Sequence, residues 1–300
     1  KITCTVKRKK KTYKLTCKVK VKAKKTVVAS SLKDTYAKIV PYMGTCLNYG
    51  SASNPRELQN ASTMKFVKKQ YNSFTLENEM KPDAILGSSA KLISVADAKK
   101  KGYYIPAGYT ESTVPELAFT TVDKSLEAAK NNGLKMRAHT LVWHSQTPSW
   151  FFTKNYDGSK VVTPAVMDAR LDFYIHNVMG HVMDKEKALT GSAGSIVYAW
   201  DVVNEYLHRP SFAFFKTWTS VYGDMGNSPS YVKKAFEIAY DMLKSYQATD
   251  KVTLFYNDYN TYFGVKDTLN LVEFINKGET AKICGCLLYT SPSPRDRTRS

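Results

Sequence analysis

No acidic residue occurs in the first 26 positions of this chain, although they hold twelve lysines and arginines. No apolar run reaches the ~18–20 residues that a membrane-spanning helix needs, so no membrane span is expected. Five cysteines (Cys4, Cys17, Cys46, Cys284, Cys286) have neither zinc-ligand nor disulfide-framework spacing. HExxH is absent, and His176 and His181 are five apart, off a shared helical face. Also absent are GxxxxGK(S/T) and GxSxG, and "NYGSASNP" is no GxGxxG. Zinc hydrolysis, phosphate loops and serine nucleophile elbows are thereby excluded, and no cofactor or metal is expected.

The net charge of +18 suggests nucleic acid until its distribution is considered. Residues 1–26 carry twelve of the positive charges, and the last fourteen residues carry three Arg against one Asp. The long central part is close to neutral, so no nucleic-acid partner is expected for it. Residues 1–28 read as two Lys-rich strands turning near Lys10-Lys11, a remnant of an upstream domain or linker. Their charge reads as a solvated face, with an acidic polymer or cell wall as the alternative. Cys4 and Cys17 are compatible with a pair across that hairpin and equally with two unpaired thiols.

Residues 29–286 alternate strand-like and helical patterns. Strand-like runs fall at 42–48, 73–76, 134–142, 196–203 and 252–256, with "AKICGC" beginning a sixth. Between them, Met167, Leu171, Tyr174, Ile175, Val178 and Val182 recur at helical spacing, as do Val232, Ala235, Phe236, Ala239, Met242, Leu243 and Tyr246. A shorter amphipathic helix is expected over 267–277. Repeated strand–helix units imply a parallel α/β sheet. Each strand leads into a polar or aromatic cluster ("ENEMK", "WHSQ", "NEY", "NDYN"), as in a (β/α)₈ TIM barrel whose strand ends converge on one site. Only five to six of its strands are expected here. Residues 287–300, "LLYTSPSPRDRTRS", lack periodicity and are expected to be a non-native tail.

"AWDVVNEYL" places Glu205 at the end of an apolar strand, where a carboxylate is costly unless it is used. Partial burial against Trp200 and Tyr206 would raise its pKa towards that of a general acid. The competing possibility is a structural Glu paired with Lys or Arg. "TLENEMKPD" adds Glu77, Asn78, Glu79 and Lys81, and "RAHTLVWHSQTPSWF" adds His139, Trp143, His144 and Gln146. Trp beside several donors and acceptors suits a sugar, whose apolar face stacks on the indole while polar groups fix its hydroxyls. Taken singly, His139 would be a core histidine and Glu77 or Glu79 a partner of Lys81.

These three segments and "LFYNDYN", in their chain order and spacing, resemble the motifs of the family-10 glycoside hydrolases, the endo-1,4-β-xylanases. The resemblance covers roughly residues 32–286 and implies a (β/α)₈ barrel, xylan or xylo-oligosaccharide as substrate, no cofactor, and a secreted bacterial protein acting as a monomer. It implies that Glu205 is the acid/base and that Asn204 bonds the 2-hydroxyl of the sugar being cleaved. His139, Trp143 and Lys81 would wall the same subsite, with Glu77 and Asn78 on the next xylose and Asn257 and Tyr259 on the leaving-group side. Glu79 would support Lys81. The family mechanism is retaining and needs a second carboxylate about 5–5.5 Å from the acid. That nucleophile follows the family's seventh strand, and no such motif is present, so the chain alone is expected to be an inactive, truncated enzyme. The rivals are a non-catalytic xylan-binding protein on the same scaffold and a basic wall- or nucleic-acid-binding protein acting through residues 1–26.

Overall fold

A computed structural model describes residues 2–8, 11–17, 31–209 and 216–278. The chain divides into two compact units, Lys1–Ser30 and Ser31–Ser300. In the first, β1 (Ile2–Arg8) and β2 (Lys11–Cys17) form the expected antiparallel hairpin. Its register sets Cys4 opposite Leu15 and Cys17 opposite Ile2. The cysteines are therefore not cross-strand partners, because the closing Arg8–Lys11 pair fixes every rung below it.

The second unit carries β3 (Gly44–Leu47), β4 (Ser73–Leu76), β5 (Leu92–Ser94), β6 (Thr113–Pro115), β7 (Lys135–Trp143), β8 (Val197–Asn204) and β9 (Thr253–Asn257). Five of these form one sheet in the order β3-β4-β7-β8-β9, every neighbouring pair parallel. These are the five strand-like runs of the sequence, joined in chain order through helical crossovers as in consecutive strands of a (β/α)₈ barrel. β5 and β6 pair antiparallel in an excursion after β4 that the sequence did not signal, because three-residue strands are too short to show a period. The expected sixth strand, the Cys284-Gly-Cys286 stretch and the tail over 287–300 lie outside the described residues.

β8 is buried at every position but Tyr198, which is why its sequence is an almost continuous apolar run rather than an alternation. The long helix Pro164–Thr190 starts on proline, whose fixed φ suits a first helical turn, and stops at Gly191 (φ 84°), which adopts the left-handed cap. It buries Met167, Leu171, Tyr174, Ile175, Val178 and Val182, and the helix Ser230–Ser245 buries Val232, Ala235, Phe236, Ala239, Met242 and Leu243. Each Val, Leu, Ile, Phe or Met among them contributes roughly 1.5–3 kcal/mol by leaving water. Tyr246, expected on the second stripe, caps that helix instead and is only partly buried. The third helix runs Val265–Asn276. Glu186, wholly buried, accepts the backbone N–H groups of Gly194, Ile196 and Val197, and so ties the end of the long helix to the start of β8.

Candidate active site

The C-terminal ends of β4, β7, β8 and β9 bring the expected side chains together. Trp143, last in β7, donates its indole Nε1–H to Oε2 of Glu205 at 2.9 Å. The Lys81 ammonium lies 4.9 Å from the Trp143 ring centre and donates to Gln146 Oε1 at 2.8 Å and Asn78 Oδ1 at 3.3 Å. Glu77 accepts from the Asn48 side-chain amide at 3.0 Å. Glu79 accepts the backbone N–H groups of Tyr49 and Asn78, so it braces the loop beneath Asn78. Asn204 is buried and uses its carbonyl to accept from Asn257 Nδ2 at 2.7 Å, leaving its NH₂ for a ligand oxygen.

Glu205 has the left-handed backbone φ 55°, ψ 35°, a conformation costing a non-glycine residue about 1–3 kcal/mol. It is held there from both sides. Its N–H donates to the Asn257 carbonyl at 2.8 Å, and its own carbonyl accepts from the His208 N–H at 3.1 Å. Burial pushes its carboxyl above the ordinary Glu range, helped by the negative charge of Asp258 and opposed by the Trp143 hydrogen bond and by His139 and His208. Among the described residues no Lys or Arg pairs with it, which disfavours the structural alternative. Replacing Trp143 by Phe removes the donor that favours the charged form, so the Glu205 midpoint should rise further. Carboxyl-carbon NMR titration of the two proteins should show this, and an unchanged or lower midpoint in Trp143→Phe would contradict the contact.

His139 donates Nδ1–H to the Asp201 carboxylate Oδ2 at 2.9 Å. Arg137 contacts the same carboxylate with Nε at 3.0 Å and Nη2 at 2.5 Å. Burial alone would raise Asp201, but the His139 hydrogen bond and the Arg137 charge hold it below the usual Asp range. β7 and β8 slip register between His139 and Val142, the kind of irregularity that re-aims side chains beside sites. Burial, with the nearby charges of His208 and Arg209, pushes the His144 imidazole down to about 4, leaving it neutral.

Asp258 is buried and does not face the cleft as a free carboxylate. Its Oδ1 takes His208 Nδ1 at 2.6 Å and the Tyr259 N–H at 2.8 Å, while Oδ2 takes the Tyr256 hydroxyl. The His208 ring stacks on Tyr259 at 3.8 Å. Sequence reasoning missed Asn48, Asp201 and this Asp258 cluster. Asp201 carried the signal that flagged Glu205, an acid inside an apolar strand. Asn48 ends a strand-like run, much as the other site residues lie at strand ends.

Strand ends that gather a raised-pKa carboxyl, an indole, a lysine and several side-chain amides at one place define an α/β-barrel site with the groups to hold a polyhydroxylated ligand. The model of glycosyl hydrolase family 10 matches residues 31–284, and the chain belongs to that family. Endo-1,4-beta-xylanase A of Butyrivibrio fibrisolvens is 46% identical over 256 residues, covering 85% of this chain and 58% of the relative. Endo-1,4-beta-xylanase A of Thermotoga neapolitana is 37% identical, over 68% of this chain and 15% of its own length. Among solved structures, the N-terminal endo-1,4-beta-D-xylanase 10B modules of Clostridium thermocellum with xylohexaose superpose with TM-score 0.61 at 30% identity. That match covers 85% of this chain and 46% of the other. An intracellular xylanase of Thermoanaerobacterium saccharolyticum with xylotetraose gives 0.53 at 27%, over 79% and 59%. The chain thus spans little more than half of the first curated relative.

Proposed function

We propose that the chain supplies the acid/base half of an endo-1,4-β-xylanase site, acting on internal β-1,4 bonds of xylan by a retaining double displacement. The observation that carries this reading is the Trp143–Glu205 contact at a strand end, around a carboxyl whose pKa burial raises above the ordinary Glu range. A protonated Glu205 gives its proton to the glycosidic oxygen as the bond breaks, and the carboxylate then takes a proton from the water that releases the sugar. Because its pKa is raised, the acid form persists to higher pH than an ordinary Glu, and that step is lost as pH rises through the folded value. A protein that merely bound xylan would have no use for a carboxyl tuned in this way.

Asn204 is assigned the 2-hydroxyl of the sugar being cleaved, with His139, Trp143 and Lys81 around that ring. Glu77 and Asn78 are assigned the next xylose, and Asn257 and Tyr259 the leaving-group side. Lys81 and Trp143 support one another, since the ammonium lies over the indole face. Among the described residues no carboxylate is placed as nucleophile, Asp258 being occupied by His208, Tyr256 and Tyr259. Hydrolysis is therefore proposed to require a second carboxylate from outside them.

Extracellular action as a monomer is part of the proposal, since polymeric xylan does not cross a membrane. No helix among the described residues is long and apolar enough to span one. Glu77→Ala tests the substrate assignment without needing turnover. It removes a charged acceptor worth about 1.5–3 kcal/mol, so xylotriose should bind roughly 10–100-fold more weakly by calorimetry. Unchanged affinity in a folded Glu77→Ala protein would remove Glu77 from the sugar site.

A further inference from the structure

The Lys1–Ser30 unit has no place in the site just described, yet its composition and register are specific. Its described residues form one antiparallel hairpin, with rungs Thr3–Thr16, Thr5–Lys14 and Lys7–Thr12. All six of these residues are exposed. They alternate along each strand with the rungs Ile2–Cys17, Cys4–Leu15 and Val6–Tyr13, so they share one face of the hairpin. That face presents only hydroxyls and ammonium groups. Successive positions on one strand lie about 6.6–6.8 Å apart, and directly opposed ones about 4.5–5.5 Å.

Residues 1–26 contain no Asp or Glu to balance twelve positive charges. An ordinary solvated surface intersperses both signs, whereas a field of one sign concentrates polyanions. Eleven of the twelve are Lys and only Arg8 is a guanidinium. Arg is the residue favoured for bidentate recognition of phosphate, so the composition leans away from phosphodiesters. None of the six exposed-face residues is aromatic, so the face offers no stacking platform for nucleic-acid bases or for a neutral sugar ring. What remains is complementary to a polymer bearing both hydroxyls and carboxylates.

We propose that this hairpin face binds a uronic-acid-bearing polysaccharide, its lysines meeting the carboxylates and its threonines the sugar hydroxyls. The proposal does not depend on the activity proposed for the second unit and is tested by binding alone.

The test is affinity electrophoresis of the full chain in gels containing one of three polymers. They are xylan substituted with glucuronic acid, the same xylan with its carboxyls reduced, and duplex DNA at equal charge concentration. Three proteins are compared: the parent, Lys7→Gln/Lys14→Gln, and a variant with residues 2–17 reordered at constant composition so that the alternation is lost. The parent should be retarded by the acidic xylan, weakening roughly tenfold or more from 50 to 200 mM salt as counterion release requires. The reduced xylan should retard the parent only as much as it retards the reordered variant, through the xylan site proposed for the second unit. The carboxyl-dependent part of the retardation should be about tenfold weaker in the double variant and mostly lost in the reordered one. Equal retardation by the reduced xylan, tighter binding to DNA, or full binding by the reordered variant would each overturn the proposal. So would a parent that the acidic xylan does not retard.

Discussion

Glu205→Gln is expected to lower xylan hydrolysis by roughly 10²–10⁴-fold, the usual contribution of a positioned general acid–base. The comparison requires a chain with its second carboxylate. Residues 31–284 joined to the C-terminal remainder of the Butyrivibrio fibrisolvens relative provide one, because identity between the two is 46%. Gln keeps the shape of the side chain and can still accept from the Trp143 indole, so the loss should be in turnover with xylotriose affinity nearly unchanged. An aryl xylobioside with a low-pKa leaving group needs little protonation and should recover much of the first step. A uniform loss on both substrates would point to misfolding or to a different acid. An active Glu205→Gln protein would end the assignment.

Asp201→Asn is expected to destabilise the second unit by about 3–5 kcal/mol, the range for breaking a buried ion pair from one side. Asp201 is almost fully buried, takes two Arg137 nitrogens and fixes the His139 ring. Removing its charge leaves Arg137, itself mostly buried, without its principal counter-charge. Urea unfolding at neutral pH measures the loss. Its pH dependence has a defined sign. Because the folded Asp201 pKa lies below the ordinary 3.8, its contribution is present above that value and is lost as pH falls through the folded one. The parent and Asp201→Asn should therefore converge in stability at the acid end of the range. A gap that persists undiminished there would assign the effect to packing.

β8 was legible because a parallel strand buried on both faces leaves a near-continuous apolar run, and β4 fell on the very residues expected. The long helices were legible because their stripes repeat for several turns, as with Val232 to Leu243. The site was legible where polar residues interrupt an apolar run at a strand end, as Asn204 and Glu205 do after Val203. Contacts across the sheet were not. Nothing in "AWDVV" says that Asp201 takes a guanidinium from β7, since that pairing depends on the β7–β8 register. The Asp258–His208 bond joins residues fifty positions apart, and only the pairing of β8 with β9 brings them within 2.6 Å. The Cys4–Cys17 pair, one of two possibilities the sequence left open, is excluded for a similar reason, since a shift in the turn moves every rung.

The central claim is that the surroundings of Glu205 raise its pKa so that it can act as an acid. Carboxyl-carbon NMR titration of Glu205, assigned by its disappearance in Glu205→Gln, measures this directly on the chain itself. The account predicts a midpoint clearly above the ordinary Glu value of 4.5. A midpoint at or below that value would mean that the carboxylate is the stable form in this site, and the acid/base assignment would fall with it.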